Sequence, residues 1–401
     1  MKSEVRGLQT RWTEYANERI AIELSQWRRN LHKSPELSNQ EWNTTNTLRG
    51  WLQDIGAEVV TYDSMPGFVA IIRGKSAEEI AVRADMDALP IQDEKDCEYR
   101  SQTVGVSHAC GHDGHMAILV GLARVLIAIK EQGQLNKTVR LLFQHSEEQV
   151  PGGAKSMIEA GALGNAQVIF GAHLWAALEV GKIGIRSGEV MAAVDRFIIE
   201  IQGKGGHASM PHQTVDSVLI ASQLVQNLQS IVSRNVDPLK SAVVSVGTLH
   251  AGGSFNIIAD KARLTGTVRS FQSDVRALVC ERIKQLVCHT CKAHDASYQL
   301  QYIEGYPSVN NDRHHTEIVK QILSNTLHPD ITVIDYPPVM GGEDFSYYQK
   351  HIPGVYYFIG AGNPSIGVTY PQHHPKFDID ERSLQIGLQS FLSVLEEYDK
   401  K

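Results

Sequence analysis

Four short apolar runs constrain this chain most: Phe68 to Ile72, Ile80 to Ala84, Val139 to Phe143 and Val168 to Ala172, the second and third each carrying one arginine. Each is continuous rather than alternating, the pattern of a strand buried on both faces. Helical stretches separate several of them, notably Met116 to Lys130 and Ala154 to Ala160. That alternation predicts an α/β domain around a mainly parallel sheet. Two helices precede it. Ile20, Leu24, Trp27 and Leu31 recur at helical spacing. The pattern stops at Ser34-Pro35, because a residue before proline is driven out of the α region. A second helical pattern covers Glu41 to Ile55 and closes at Gly56.

From about Ala192 the pattern changes. Val194 to Ile201 alternates, and Gly203 to His207 makes a turn. A helix over Val215 to Ser233, strands over Ala242 to Leu249 and Ala262 to Val268, a helix over Ser273 to His289 and a strand over Tyr298 to Ile303 follow. This is the β-α-β-β-α-β order of a ferredoxin-like α+β unit. The expected organisation is a first domain built from residues 1–189 plus 303–401, with 190–302 inserted. A chain of 401 residues is long enough for two cores.

Charge narrows the class of partner. The net charge is −7, spread mostly as single residues, with a sequence pI near 6.2. No basic patch stands out to neutralise phosphates, which argues against nucleic acid. Residues 1–20 carry charges throughout and show no apolar targeting core. The apolar stretch Ala117 to Ile129 is interrupted by Arg124 and is too short to span a bilayer. Five cysteines make no disulfide framework. The expectation is a cytoplasmic protein with no membrane partner.

Residues with metal-binding chemistry follow the apolar runs. Asp85 and Asp87 follow the second, His145 to Glu148 the third and His173 the fourth. In open α/β sheets, sites lie outside the carboxyl ends of the strands. Residues 107–115 add three histidines, Cys110 and Asp113 within nine positions. Imidazole and thiolate are the commonest soft and borderline metal ligands. Cys110 and His112 stand two apart and, on an irregular loop, can point into one site; a thiolate can bridge two ions. Neighbours in extended backbone point to opposite faces. Of Glu147 and Glu148, one can therefore bind metal while the other faces a substrate cavity. That division suits metal-assisted hydrolysis, which needs a general base near the metal that is not itself a ligand. Either His373 or His374 could complete the ligand set.

The predicted insert carries further candidates. His207, on a glycine turn, could polarise a substrate carbonyl. Asn256 and Arg269 flank its second central strand, and arginine is the natural bidentate partner of a carboxylate. The Gly341-Gly342 turn could let backbone approach a ligand. Cys288 and Cys291 form a single C-x-x-C with no second pair to complete a zinc site, and read as structural. Residues 203–206 lack the spacing of a phosphate-binding loop.

Taken in order, RADMDALPIQDE (83–94), SHACGHDGH (107–115), HSEEQVPGGAKSMIEAGAL (145–163), GKGGHASMPH (203–212), SFNIIAD (254–260), GTVRSF (266–271), MGGEDF (340–345) and HHPKF (373–377) resemble the motifs of the M20 metallopeptidase family. The resemblance is strongest to its amidohydrolase branch, which includes hippurate hydrolases, N-acetylamino-acid deacetylases and plant auxin-conjugate hydrolases. Many M20 peptidases have histidine where Arg83 stands and a bridging aspartate where Cys110 stands; this chain shows the pattern of the amidohydrolase branch.

The resemblance implies a zinc-peptidase-like catalytic domain with an inserted lid or dimerisation domain that closes over substrate. It implies two divalent ions, of zinc, manganese, nickel or cobalt. Cys110 would bridge them, with His112, Glu148, His173 and His373 as the other ligands. Glu147 would act as general base and acid, and Asp85 would orient the site. His207 would stabilise the oxyanion, or reach a neighbouring subunit's site. Asn256, Arg269 and Gly342 would bind substrate, and a homodimer or homotetramer would form through the insert. The implied reaction is cleavage of the amide bond of an N-acyl-L-amino acid. A dipeptidase or carboxypeptidase on the same chemistry is the alternative. An inactive metal-bound binding protein would be expected to have lost the base or a ligand, and this chain retains them.

Overall fold

The computed structural model describes residues 11–400. The first ten residues, part of the stretch 1–20 read above for targeting signals, lie outside the described residues. In chain order the elements begin with α1 (Glu18–Lys33), α2 (Trp42–Asp54), β1 (Glu58–Tyr62), β2 (Met65–Ile72), β3 (Glu79–Asp85), α3 (His112–Glu131), β4 (Thr138–Gln144), α4 (Ala154–Glu159), β5 (Ala166–Glu179), β6 (Lys182–Ile185) and β7 (Gly188–Met191). They continue with β8 (Ala193–Gln202), β9 (Gly206–His207), α5 (Ser217–Arg234), β10 (Ala242–Ala251), β11 (Ile257–Ile258), β12 (Lys261–Ser270), α6 (Ser273–Ala293) and β13 (Ser297–Glu304). The chain ends with β14 (Val309–Asn311), α7 (Arg313–Thr326), β15 (Thr332–Asp335), β16 (Gly354–Gly362) and α8 (Arg382–Asp399).

The chain divides into two compact units. The first holds the residues up to Val190, Asn310–Pro337 and those from Tyr347 onward. Its eight-stranded sheet runs β1-β2-β4-β3-β5-β16-β6-β15. The centre is parallel: β3 pairs with β4 and β5, and β5 with β16. β1 against β2 and β2 against β4 are antiparallel. The first three runs do not alternate because β2, β3 and β4 are buried along their whole length, and the fourth lies in the buried first half of β5. α3 is long and apolar enough to cross a membrane, yet it is a core helix. Met116, Val120, Leu122 and Leu126 are fully buried, and α1 and α8 pack against it. β5 runs seven residues past the predicted Ala172, because β16 pairs with it as far as Glu179.

The second unit is Met191–Val309 with Pro338–Ser346. Its antiparallel sheet runs β10-β12-β8-β13. Phe197, Ile199 and Ile201 point to the face covered by α5 and α6, against Leu224, Leu228, Ile283 and Val287. Arg196, Glu200 and Gln202 alternate onto the exposed face. The boundaries expected from the sequence are 190 and 302. Here residues 303–309 and 338–346 also join the second unit, because backbone pairing carries them there. β13 continues to Glu304 opposite Asp195, and Val194 N–H donates to Tyr306 O. Ala192 N–H donates to both Val339 O and Gly341 O.

Candidate active site

The carboxyl ends of β3, β4 and β5 deliver one cluster in the first unit. Asp85 is the last residue of β3, and His145 to Glu148 follow β4 directly. His173 lies within β5 rather than just after it. The loop before α3 supplies Cys110, and the first helical residue is His112. Gly111 between them sits at φ +99°, a left-handed conformation that an L side chain resists, and this turns both neighbours toward one point. His373 is itself at φ +67° and Ser146 at φ +55°, so two strained non-glycine residues flank the cluster. The N–H of His373 donates to Ala109 O at 2.7 Å, tying the C-terminal segment to the cysteine loop.

The side chains converge. Cys110 Sγ lies 3.5 Å from His173 Nε2, and His373 Nε2 lies 3.2 Å from Glu148 Oε1. His112 Nε2 is 3.9 Å from the same Glu148 oxygen. Ligand atoms of Cys110, His112 and His173 fall within 4.8 Å of one another, as do those of Cys110, Glu148 and His373 and those of His112, Glu147 and Glu148. His374 stands outside: its ring stacks on Tyr370 at 4.3 Å and its Nδ1 accepts from Lys376 N–H. The open choice between the two histidines therefore falls on His373.

These residues fit a divalent metal pair. His112 Nδ1 donates to Asp87 O at 2.8 Å and His173 Nδ1 to Leu174 O at 2.9 Å. In each ring this orients Nε2 toward the cluster, the usual outer-shell arrangement of a metal-binding histidine. His112 Nε2 and Glu148 Oε1 are buried with no hydrogen-bond partner, an arrangement a cation would satisfy. Burial and the neighbouring His115 hold His173 far below the usual imidazole range, so it is neutral and ready to ligate. Burial pulls His112 down, but Asp85, Asp87 and Glu148 outweigh it and push it up to about 10. A proton there occupies the place a cation would take. Burial and the charges of Glu148, Glu147 and Asp85 push the Cys110 thiol well up, the same excess of negative charge awaiting a cation.

A second layer holds the cluster. Asp85 Oδ2 accepts from Arg83 Nη1 at 2.7 Å and lies 3.7 Å from His112 Nε2, and Asp85 Oδ1 bonds His115 Nδ1 at 2.6 Å. Although burial opposes it, the charges of His112, His115 and Arg83 keep Asp85 well below the carboxylate range. Asp113, next to His112, receives Arg28 Nε at 3.0 Å and bonds His32 Nδ1 at 2.7 Å, all buried. That network anchors the first turn of α3, and with it His112, to α1. Sequence reading singled out neither His115 as a partner of Asp85 nor Arg28, because both depend on which helices pack.

The second-unit candidates fall into two groups. His207 and Asn256 are together: β9 pairs with β11 through His207 opposite Ile257, and Ala208 N–H donates to Asn256 O at 3.1 Å. His207 is exposed. Arg269 and Gly342 are at the other end. Arg269 lies opposite Val194 in the β12–β8 register, and a Cβ on Gly342 would lie 2.1 Å from Val194 Cγ2. Arg269 bonds the Thr267 hydroxyl and Val268 O, and burial lowers its pKa. The two ends of β12 are set by Lys261 opposite Gln202 and Arg269 opposite Val194. At about 3.3 Å per residue they stand roughly 26 Å apart. Asn256 and Arg269, expected to hold one substrate carboxylate, are therefore not brought together within one chain.

Comparison with known proteins agrees with this chemistry. The profile of Peptidase family M20/M25/M40 matches residues 81–397. A Bacillus subtilis (strain 168) protein named amidohydrolase YhaA is 46% identical, over 90% of this chain and 91% of its own. The N-acyl-L-amino acid amidohydrolase of Geobacillus stearothermophilus is 44% identical, over 73% of this chain and 79% of its own. The crystal structure of Bacillus subtilis YXEP, described as a dinuclear metal-binding peptidase of the M20 family, superposes with a TM-score of 0.83 at 34% identity, covering 96% of this chain and 99% of that one. With its family profile spanning most of the chain and its cluster of thiol, imidazole and carboxylate groups able to hold metal, this protein is a hydrolase of peptidase family M20/M25/M40.

Proposed function

We propose that this chain hydrolyses the amide bond of N-acyl-L-amino acids, releasing a carboxylic acid and a free amino acid. The observation that carries the reading is Glu147 standing beside the convergent set Cys110, His112, Glu148, His173 and His373. The likeness to an N-acyl-L-amino acid amidohydrolase supports the substrate class. Divalent cations held by those five residues would polarise the amide carbonyl and make water a nucleophile near neutral pH. Glu147 takes a proton from the attacking water on its carboxylate and passes it to the leaving nitrogen. Asp85 keeps His112 and His115 in register for that work.

The assembly is part of the same reading. His207 and Asn256 serve the site of a second copy, where His207 holds the oxyanion, while Arg269 and the Gly342 turn bind a substrate carboxylate. The separation along β12 supports this, because a small substrate cannot reach both ends. The copies meet through the open edge of β10, beside which Leu249, Val218 and Leu219 are 41%, 44% and 47% exposed. The native metal is zinc, manganese, nickel or cobalt. A cytoplasmic location is supported by all five cysteines being free.

The test is turnover, read by mass spectrometry, of a mixed panel of N-acetyl, N-benzoyl and indole-acyl amino acids and dipeptides. The enzyme is reconstituted separately with each metal and run beside Glu147→Ala. Cleavage of acyl amino acids that the variant loses is the expected result. Cleavage of dipeptides alone would move the chain to the peptidase reading, and no turnover with full metal would overturn both.

A further inference from the structure

Three consecutive backbone N–H groups in the turn after β4 are each held by an oxygen of a buried acidic side chain. Ser146 N–H donates to Glu41 Oε1 at 2.7 Å. Glu147 N–H donates to Asp87 Oδ1 at 2.9 Å, and Glu148 N–H to Asp87 Oδ2 at 2.9 Å. Successive N–H groups of this kind form a concavity suited to an anion. Here the anion is the protein's own side chain. Both oxygens of Asp87 are used, since Ser38 Oγ also donates to Oδ2 at 2.6 Å. The backbone carbonyl of the same residue accepts from His112 Nδ1. Asp87 is 1% exposed and Glu41 fully buried, so solvent does not compete for these bonds.

The turn needs such a hold. Ser146 is in the left-handed region at φ +55°, a conformation that persists only where surroundings over-determine it. Released, Ser146 relaxes toward ordinary backbone and swings Glu147 and Glu148 with it. One residue thus touches the backbone of two acids and the ring of a third member of the cluster.

We propose that Asp87, backed by Glu41, is a positioning residue that fixes where the Glu147 and Glu148 carboxylates stand. It touches neither substrate nor cation; it acts through the turn. This rests on the reading of Glu148 as ligand and Glu147 as base.

Asp87→Asn is the incisive change, because one oxygen becomes an amide group that cannot accept from a backbone N–H. Cobalt(II) titration of the metal-free protein, followed by its visible absorption, is read beside kcat, KM and thermal melting. The expected result is a cobalt affinity lowered about 10- to 100-fold and an altered cobalt spectrum. kcat falls by a similar factor and KM stays within about twofold, the signature of an interaction that matters in the transition state. Glu41→Gln, which keeps an acceptor oxygen for Ser146, should shift the spectrum less than Glu41→Ala. If Asp87→Asn does not fold, Ser38→Ala, which removes one bond to the clamp, should show the same changes more weakly. Wild-type cobalt affinity, spectrum and kcat in a folded Asp87→Asn would overturn the proposal, as would wild-type values in Ser38→Ala where only that variant folds. The cobalt readout needs no turnover, so it stands even if Glu147 proves not to be the base.

Discussion

At the residue scale the cluster separates two jobs that look alike in sequence. Glu147 and Glu148 are adjacent carboxylates, and Glu148 lies within 3.2 Å of His373 Nε2 and 3.9 Å of His112 Nε2. Glu147 shares a ligand-sized space with both Glu148 and His112. Glu147→Ala should therefore keep its metal and lose at least roughly a thousandfold in kcat, within the general-base range. Cys110→Ala should instead lose metal, since its sulfur belongs to two of the overlapping ligand groups. Elemental analysis beside kinetics separates them; a metal-loaded Glu147→Ala with near-normal turnover would remove that residue from the mechanism. The ligand residues were legible in the sequence because their chemistry is unusual and dense. Asp87 stands out in the sequence only as one more metal-type acid, and Glu41 only as the start of a helical pattern: an acid that binds backbone N–H groups looks like any other until the turn it binds is folded.

At the element scale, the sequence periods located the helices and strands that pack on both faces, and missed what neighbouring strands decide. β5 continues to Glu179 only because β16 is there to pair with it. The division of His207 from Arg269 follows from antiparallel register, which a list of motifs does not contain. The turn from His145 to Gly153 shows the same dependence on close approach. A Cβ on Gly153 would stand 1.9 Å from His145 O, a backbone atom that cannot move aside alone. Gly153 N–H also closes the turn on Ser146 O at 3.1 Å. Gly153 is the N-cap of α4, where glycine is preferred over alanine, so Gly153→Ala offers no helix gain. Overpacking of this kind costs about 1–3 kcal/mol, with nothing to offset it. The variant should melt lower and lose at least about tenfold in kcat as Glu147 and Glu148 shift. Unchanged melting and turnover would show that the turn accommodates the methyl group and does not set the acids.

For the whole molecule, the buried charges tie stability to pH. His108 and His145 are held neutral by burial, down to about 3 and about 4. His173 is held well below the usual imidazole range by burial and His115. Between about pH 6.5 and 4.5 the unfolded chain takes up protons at these three that the folded chain refuses, so acid destabilises. Glu41, pushed up to about 8 by burial and Asp87, works against them by keeping a proton the unfolded chain has lost, but it is one group against three. Above pH 6.5 the sign reverses. The three histidines are neutral in both states, while Glu41 and His112 hold protons in the folded state up to about 8 and about 10. Metal-free protein should therefore be most stable near pH 6.5, with about two protons' difference on either side, each about 1.4 kcal/mol per pH unit. Urea melts from pH 4.5 to 8 check this, and stability still rising at pH 8 would refute it. The assembly gives the last expectation. If His207 acts in the site of a partner, Glu147→Ala and His207→Ala are each inactive alone yet complementary. A mixed dimer carries one site with both residues intact and one with neither. Random exchange of subunits at equal concentrations makes half the dimers mixed, so recovered activity should approach about a quarter of wild type. Activity that stays at the sum of the two inactive preparations, with subunit exchange verified by native mass spectrometry, would place His207 in its own chain's site or outside catalysis.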